Sequence, residues 1–308
     1  MERLDGGSAV PARLRGGIVA LGNFDGFHRG HQAVVGRAVE RARAEARPVL
    51  VATFDPHPAR HFHPDAPPFR LTTLDQRERL FGAAGADAML VIRFGAELAA
   101  VSAEDFVSDH LLTRIGAAGV ATGEDFTFGQ GRQGSSALLA QLGRRHGFST
   151  DAVAPVTWRG APVSSSRIRE ALVAGDCETA TELLTRPFAI EGIVEHGDKR
   201  GRELGYPTAN IRLGSYLRPK FGIYAVRGRL ADGRTVDGAA SLGIRPHFDP
   251  PQELLEPHFF DFSDDLYGQR IEVELISYLR PEMKFSDLGG LVAQMENDCR
   301  TARARLAR

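Results

Sequence analysis

Apolar and polar positions follow two different grammars along this chain. Between residues 18 and 156, short apolar runs at 18–24, 48–54, 88–94, 119–123 and 151–156 alternate with stretches of helical period at 32–46, 74–84, 102–115 and 135–145. Short apolar runs separated by helices read as strands of a parallel sheet covered on both faces. The first part is therefore expected to be an α/β doubly wound domain. Ligands of such sheets bind beyond the carboxyl ends of the strands. Ser102 and Asp105 resemble a loose capping box ahead of the third helix, with Asp in the place of Glu or Gln.

After two helical segments at 167–174 and 178–184 the pattern changes. Runs at 189–195, 222–230, 236–242, 254–262 and 270–279 follow one another with glycine and proline between them and no helix. That succession predicts an antiparallel barrel or sandwich. A last helix over 287–306 carries Leu291, Met295 and Cys299 four residues apart, which makes Cys299 a packed core thiol. The change of grammar near 185–188 divides the chain into 1–185 and 186–308. No internal repeat or low-complexity tract interrupts either part.

Composition narrows the function classes. The 308 residues suffice for two cores, and a net charge of −1 gives no field for broad capture of nucleic acid. Only Lys199, Lys220 and Lys284 among the 38 basic residues are lysines, so each is worth weighing. Cys177 and Cys299 make neither a disulfide scaffold nor a metal cluster alone, which fits a reducing cytoplasm. The beginning of the chain lacks a signal-peptide apolar core, and no run approaches the ~18 apolar residues of a membrane span.

The stretch Gly22, Asn23, Phe24, Asp25, Gly26, Phe27, His28, Arg29, Gly30, His31 follows the first apolar run and precedes a helix. Two imidazoles and several small residues at a strand-to-helix junction suit phosphate and the charge that develops during nucleotidyl transfer. An ordinary helix-capping histidine beside a surface one would explain the pair alone, but not the surrounding glycines. Val163, Ser164, Ser165, Ser166, Arg167, Ile168 and Arg169 add hydroxyls and guanidiniums at another helix start. Gly129, Gly131 and Gly134 match a dinucleotide fingerprint but come late, without a first βαβ unit, and read as a flexible loop. His57, His61 and His63 lie in a proline-rich stretch without regularly spaced acidic or thiol partners, and read as a solvated loop rather than a zinc site.

The second part offers a different phosphate loop. There is no Gly-Lys pair and so no usual P-loop. Gly197, Lys199, Arg200, Gly201, Arg202 and Gly205 instead lead into Pro207, Thr208, Ala209 and Asn210, whose neutral oxygens suit Mg²⁺ shared with phosphates. Glu256 lies in an apolar run. Strict alternation puts it on one face with His258, and Leu255, Phe259 and Asp261 on the other. A carboxylate in such surroundings is a candidate base, with a solvent-facing glutamate as the alternative.

Taken together, the segments 22–32, 53–58, 123–134, 164–169, 197–210, 221–224 and 255–268 resemble, in order and over nearly the whole chain, the bacterial bifunctional riboflavin kinase/FMN adenylyltransferases, also called bifunctional FAD synthetases. The resemblance implies a nucleotidyltransferase α/β domain joined to a six-stranded antiparallel barrel with a C-terminal helix. It implies that 186–308 phosphorylates riboflavin with ATP and Mg²⁺ to FMN, and that 1–185 joins FMN to AMP from a second ATP to give FAD and pyrophosphate. By motif, Gly22, Phe24, Asp25, Gly26, His28, His31, Ser165, Ser166 and Arg169 would bind ATP for adenylyl transfer, with His28 and His31 catalytic. Phe54, His57, Pro58 and Asp125 would lie toward the flavin. Gly197, Lys199, Gly201, Arg202, Gly205, Pro207, Thr208 and Asn210 would bind the kinase ATP, Thr208 and Asn210 would hold Mg²⁺, and Glu256 would be the kinase base. The implied partners are riboflavin, FMN, FAD and ATP, with neither nucleic acid nor membrane. Ser166 departs from the family's usual Thr, and Ser241 and His247 stand where many members have Asn and Thr, which touches the kinase pocket. The first motifs alone would also serve a nucleotidyltransferase with another acceptor, and a ligand-binding regulator without turnover would keep the same fold.

Overall fold

The computed structural model describes residues 1–196, 205–245 and 251–307. The chain forms two compact units, Met1–Pro67 with Leu74–Ser164, and Pro68–Thr73 with Ser165–Arg308.

The first unit is built on six strands, β1 (Glu2–Asp5), β2 (Ile18–Leu21), β3 (Val49–Asp55), β4 (Ala88–Arg93), β5 (Gly119–Gly123) and β6 (Ser149–Val153), with helices α1 (Arg29–Glu45), α2 (Leu74–Ala83) and α3 (Ser136–His146). All strand pairs are parallel, in the order β1-β4-β3-β2-β5-β6. Alternation along the strands feeds two cores. Ile18, Ala20, Val51 and Met89 pack with Val35, Ala38 and Phe81 of α1 and α2. Val19, Leu21, Leu50 and Leu90 pack with Phe106, Leu111 and Leu139 on the other face. This is the doubly wound arrangement that apolar runs without polar alternation predict.

Three local features depart from the pattern. β1 escaped notice because an edge strand of alternating exposure (Glu-Arg-Leu-Asp) carries little apolar signal. α1 begins at Arg29, three residues before the periodic stretch, because His28 caps it. The Ser102–Asp105 box forms as predicted, with the Asp105 N–H donating to Ser102 Oγ (3.0 Å) and that hydroxyl donating to the Asp105 carboxylate (2.7 Å). The turn it starts then widens into a π-helical segment over Phe106–Ile115.

Asp151 on β6 ties α1 to the sheet by accepting from Arg37 Nε (3.0 Å) and from Arg41 Nε. Burial pushes its carboxyl upward, but the hydrogen bonds and charge of Arg41 and Arg37 outweigh that and leave it below its ordinary value. A depressed folded-state pKa stabilises above the unfolded value and loses that contribution as pH falls through the folded value. Asp151→Asn should therefore cost about 1–3 kcal/mol at pH 7. The gap between variant and parent in urea unfolding should narrow at pH values below about 4.

The second unit contains α4 (Ser165–Ala174), α5 (Cys177–Leu184), β7 (Phe188–Ile193), β8 (Ile211–Arg212), β9 (Gly222–Arg229), β10 (Thr235–Arg245), β11 (Gln252–Phe259), β12 (Arg270–Arg280) and α6 (Leu288–Leu306). The strands pair antiparallel in the order β7-β12-β9-β10-β11-β8. A bridge between Glu195 and Asn210 brings the two ends of this sheet together into a nearly closed barrel. β8, the sixth strand, is too short to read from pattern. Tyr224, Val226, Leu242, Leu255, Phe259, Val273 and Leu275 are buried on the face shared across the register. Gly228 makes room there, since a methyl on it would meet the Phe259 ring at 2.5 Å. On the outer face, Ala225 and Ala239 pack with Phe260 and with Ala302 and Cys299 of α6. Cys299 packs against this cluster as its helical spacing predicts, but it is half-buried rather than in the core. The alternation of β11 stops at Phe259, and Asp261 takes a left-handed conformation (φ 54°) and pairs with Arg303, so it does not share the face of Leu255. Among the described residues no helix is long and apolar enough to cross a membrane.

Candidate functional site

Two clusters of chemistry-bearing residues stand out, one in each unit. In the first unit, the segment between β2 and α1 turns through left-handed residues at Phe24 (φ 51°), Gly26 (φ 87°) and Phe27 (φ 45°). A bulky residue in that region is strained by about 1–3 kcal/mol. Packing offsets it here, since the Phe24 and Phe27 rings meet Phe81 edge-on at 5.7 and 5.0 Å. The backbone is braced from beneath. The Asn23 carbonyl accepts from Thr53 Oγ1 (2.8 Å) and from Nη1 of Arg77 (3.2 Å), and Nη1 also donates to Thr53 (2.9 Å). Arg77 is 2% exposed. The Phe24 ring is in the core and leaves only its backbone toward the loop surface.

His28 ends this loop and caps α1, with the His31 N–H donating to His28 Nδ1 (3.3 Å). The two rings stack, with centroids 3.6 Å apart and planes at 17°. Gly30 permits this arrangement, because a methyl there would come within 3.2 Å of the His28 ring. Capping and phosphate chemistry are therefore not alternatives. The cap that fixes His28 also sets both imidazoles beside the first N–H groups of α1, where the helix dipole favours an anion. Asp25 is buried in the same turn.

Phe54 is buried near the end of β3, edge-on to Phe94 (6.0 Å). His57 caps the short helix Pro58–Phe62, of which Pro58 is the first residue, by accepting from the Ala59 N–H (3.1 Å). Asp125 is exposed after β5, its carboxylate 2.8 Å from where a Gly123 Cβ would stand. His57, Pro58 and Asp125 follow the carboxyl ends of parallel strands, and Phe54 is the next-to-last residue of one, at the same edge as His28. Ser165 and Ser166 open α4, and Arg169 Nε donates to the Phe69 carbonyl (2.8 Å), all within the second unit. Gly129, Gly131 and Gly134 form the turn and return of a short antiparallel hairpin (Gly134 pairs with Phe128), so the strand that a dinucleotide fingerprint should follow is not there.

In the second unit, Gly197, Lys199, Gly201, Arg202 and His247 lie outside the described residues. Gly205 turns at φ 82°, and the segment after it runs antiparallel to β11, with the Ala209 N–H donating to the Pro257 carbonyl (3.0 Å) and Ile211 paired with Leu255. Continuing that register sets Asn210 across from Glu256 and Thr208 across from His258. Ser241 of β10 faces Glu256 from the other side. The Pro207 carbonyl is 2.9 Å from His258 Nδ1, and Tyr206 packs edge-on to that ring (5.2 Å). By this register Thr208, Asn210 and Glu256 share the face of the sheet opposite to Ile211 and Leu255. Glu256 is half-buried and pairs with Arg245.

Sequence reasoning missed Arg77, Arg245 and Glu282. Arg77 sits in a run of polar residues (Asp75, Gln76, Arg77) that looks like a solvated helix face, yet Gln76 and Arg77 are buried. Arg245 falls beyond the apolar run that marked β10, although it shares parity with Ser241. Cys177 is not a nucleophile, since burial and the neighbouring Glu178 push its thiol up to about 12.

A doubly wound unit with stacked histidines at a helix start is thus followed by a barrel with a carboxylate on its outer face, a two-part α/β-plus-barrel protein. Residues 10–167 match the sequence profile of FAD synthetase, and residues 184–306 match that of riboflavin kinase. The chain is 38% identical over 292 residues, 95% of its length and 93% of the relative's, to the bifunctional riboflavin kinase/FMN adenylyltransferase of Escherichia coli (strain K12). It is 36% identical over 287 residues, 91% of this chain and 90% of the relative, to the protein so named in Bacillus subtilis (strain 168). A crystal structure described as a macrolide-efflux protein from Streptococcus pneumoniae shares the fold, with a TM-score of 0.87 at 29% identity over 98% of this chain and 99% of that one. The chain belongs to the family of bifunctional riboflavin kinase/FMN adenylyltransferases.

Proposed function

We propose that this enzyme makes FAD from riboflavin in two ATP-dependent steps, riboflavin phosphorylation by the barrel part and FMN adenylylation by the α/β part. The observation that carries this reading is the match of two separate stretches, the first to the FAD synthetase profile and the second to the riboflavin kinase profile, each stretch having its own cluster of suitable residues. We assign adenylyl transfer to residues 1–185 and the kinase to 186–308. Within the compact units, α4 and α5 group with the barrel although they precede that boundary.

In the kinase step, Glu256 accepts the proton of the terminal ribityl hydroxyl as its oxygen attacks the γ-phosphorus of ATP. Thr208 and Asn210 present neutral oxygens on the face of Glu256, a donor set that fits a hard cation held jointly with phosphates. Mg²⁺ bound there would neutralise phosphate charge. Gly197, Lys199, Gly201, Arg202, Gly205 and Pro207 belong to the loop assigned to ATP in this step.

In the adenylyl step, a phosphate oxygen of FMN attacks the α-phosphorus of ATP and pyrophosphate leaves. The protein forms no covalent bond. Its work is to hold both phosphates in line and to stabilise charge on the transferring group. His28, His31 and the α1 N–H groups are suited to this, with Gly22, Phe24, Asp25 and Gly26 shaping the loop. Ser165, Ser166 and Arg169 are assigned to ATP phosphates, and Phe54, His57, Pro58 and Asp125 to the flavin end. Both free thiols and the need for ATP fit work in the cytoplasm.

Purified protein with riboflavin, ATP and Mg²⁺ should yield FMN first and FAD after a lag, resolved by chromatography over time. Absence of both products would overturn the proposal.

A further inference from the structure

Arg245 lies four residues along β10 from Ser241, on the same face, and its guanidinium is engaged on several sides. Nε and Nη2 both contact Oε2 of Glu256. Nη2 also donates to Ser241 Oγ (2.8 Å), and Nη1 donates to Oε1 of Glu282 (2.9 Å). Ser241 Oγ donates to the same Glu282 oxygen (3.2 Å). Glu282 lies over Gly243, where a methyl would come within 2.5 Å of its carboxylate. Burial works against the charge of Arg245, but Glu256 and Glu282 outweigh it and raise its pKa above the ordinary value.

The geometry at Glu256 is one-sided. Both guanidinium contacts fall on Oε2, so among the described residues Oε1 is the oxygen left for another donor. A glutamate carboxyl otherwise turns easily about its last torsion, with a broad rather than three-well preference. A base loses rate when its lone pair is not aimed at the proton it takes. We infer that Arg245 is the positioning residue of the kinase base. It fixes Glu256 by Oε2, which leaves Oε1 for the ribityl hydroxyl, and Glu282, seated over Gly243, holds Arg245 from the opposite side. This inference rests on the reading of Glu256 as the base.

The test uses the full-length protein and compares Arg245→Met, Arg245→Lys, Glu282→Gln and Glu256→Gln. Steady-state and single-turnover phosphorylation of riboflavin are measured, with FMN adenylylation as the control. Arg245→Met should lower kinase kcat about 10–100-fold, the range for removing a group that orients a reacting one. KM for riboflavin and ATP should stay within about threefold, since substrate binding is not what is lost. Arg245→Lys should recover part of the rate, Glu282→Gln should fall between parent and Arg245→Met, and adenylylation should not change. An unchanged kcat in Arg245→Met overturns the inference, as does a loss confined to KM for ATP, which would make Arg245 a substrate-binding group. If Arg245→Met loses the circular dichroism of the parent, Arg245→Lys and Glu282→Gln decide, and parent-like kcat in both overturns it. Full kinase activity in Glu256→Gln sinks the base itself, whereas an inactive Glu256→Gln beside a fully active Arg245→Met sinks only the role of Arg245.

Discussion

Glu256→Gln should reduce FMN formation from riboflavin by about 10²–10⁴-fold, the usual contribution of a positioned general base. The glutamine keeps the size of the side chain and a hydrogen-bonding oxygen for Arg245, but its amide cannot take up a proton. Folding should survive, because Glu256 is on the outer face and the inward residues of β11 are Leu255 and Phe259. When FMN is supplied, its conversion to FAD should stay within about twofold of the parent, because the residues proposed for adenylyl transfer belong to another cluster. Chromatography of the flavins with riboflavin and then FMN as substrate reads both numbers. Loss of both activities in a folded protein would contradict two separate sites.

His28→Ala should give the mirror image, with FMN adenylylation reduced by about 10²–10³-fold, as for loss of one preorganised charge-stabilising donor, and riboflavin phosphorylation retained. His28 also caps α1, so alanine removes about 1 kcal/mol of helix stabilisation as well. His28→Asn separates the two effects, since asparagine is a good cap without an imidazole. Adenylylation should remain low in His28→Asn while thermal stability returns toward the parent. Recovery of activity with asparagine would reduce His28 to a capping residue.

The broad architecture was legible because its signals are local. Buried parallel strands read as apolar runs: 18–24, 88–94 and 119–123 each contain an observed strand, and 48–54 covers all but the last residue of β3. The antiparallel half betrayed itself through strands without helices between them. What stayed hidden depends on contacts distant in sequence. β8 is a strand only because it pairs with β11 more than forty residues later, and Arg77 is buried only because the Asn23 carbonyl and Thr53 receive it. At the sites, glycines and hydroxyls near His28 and Thr208 carried the chemical signal. The arginines that brace these segments did not, because an arginine in a polar run looks the same whether it is solvated or clamped. The stacking of His28 on His31 was likewise invisible to spacing alone, since it needs the cap geometry and the open side of Gly30.

The close approach of Phe259 to Gly228 has a consequence for how such barrels vary in evolution. The ring occupies the volume that a side chain at Gly228 would need, and the two residues stand on different strands. Neither can change freely by itself, because a methyl at Gly228 collides with the ring and a smaller residue at Phe259 leaves a void. Exchanged together, they conserve volume. The two positions should therefore behave as one heritable unit, drifting in tandem among relatives while the outer face of β11 that carries Glu256 stays untouched.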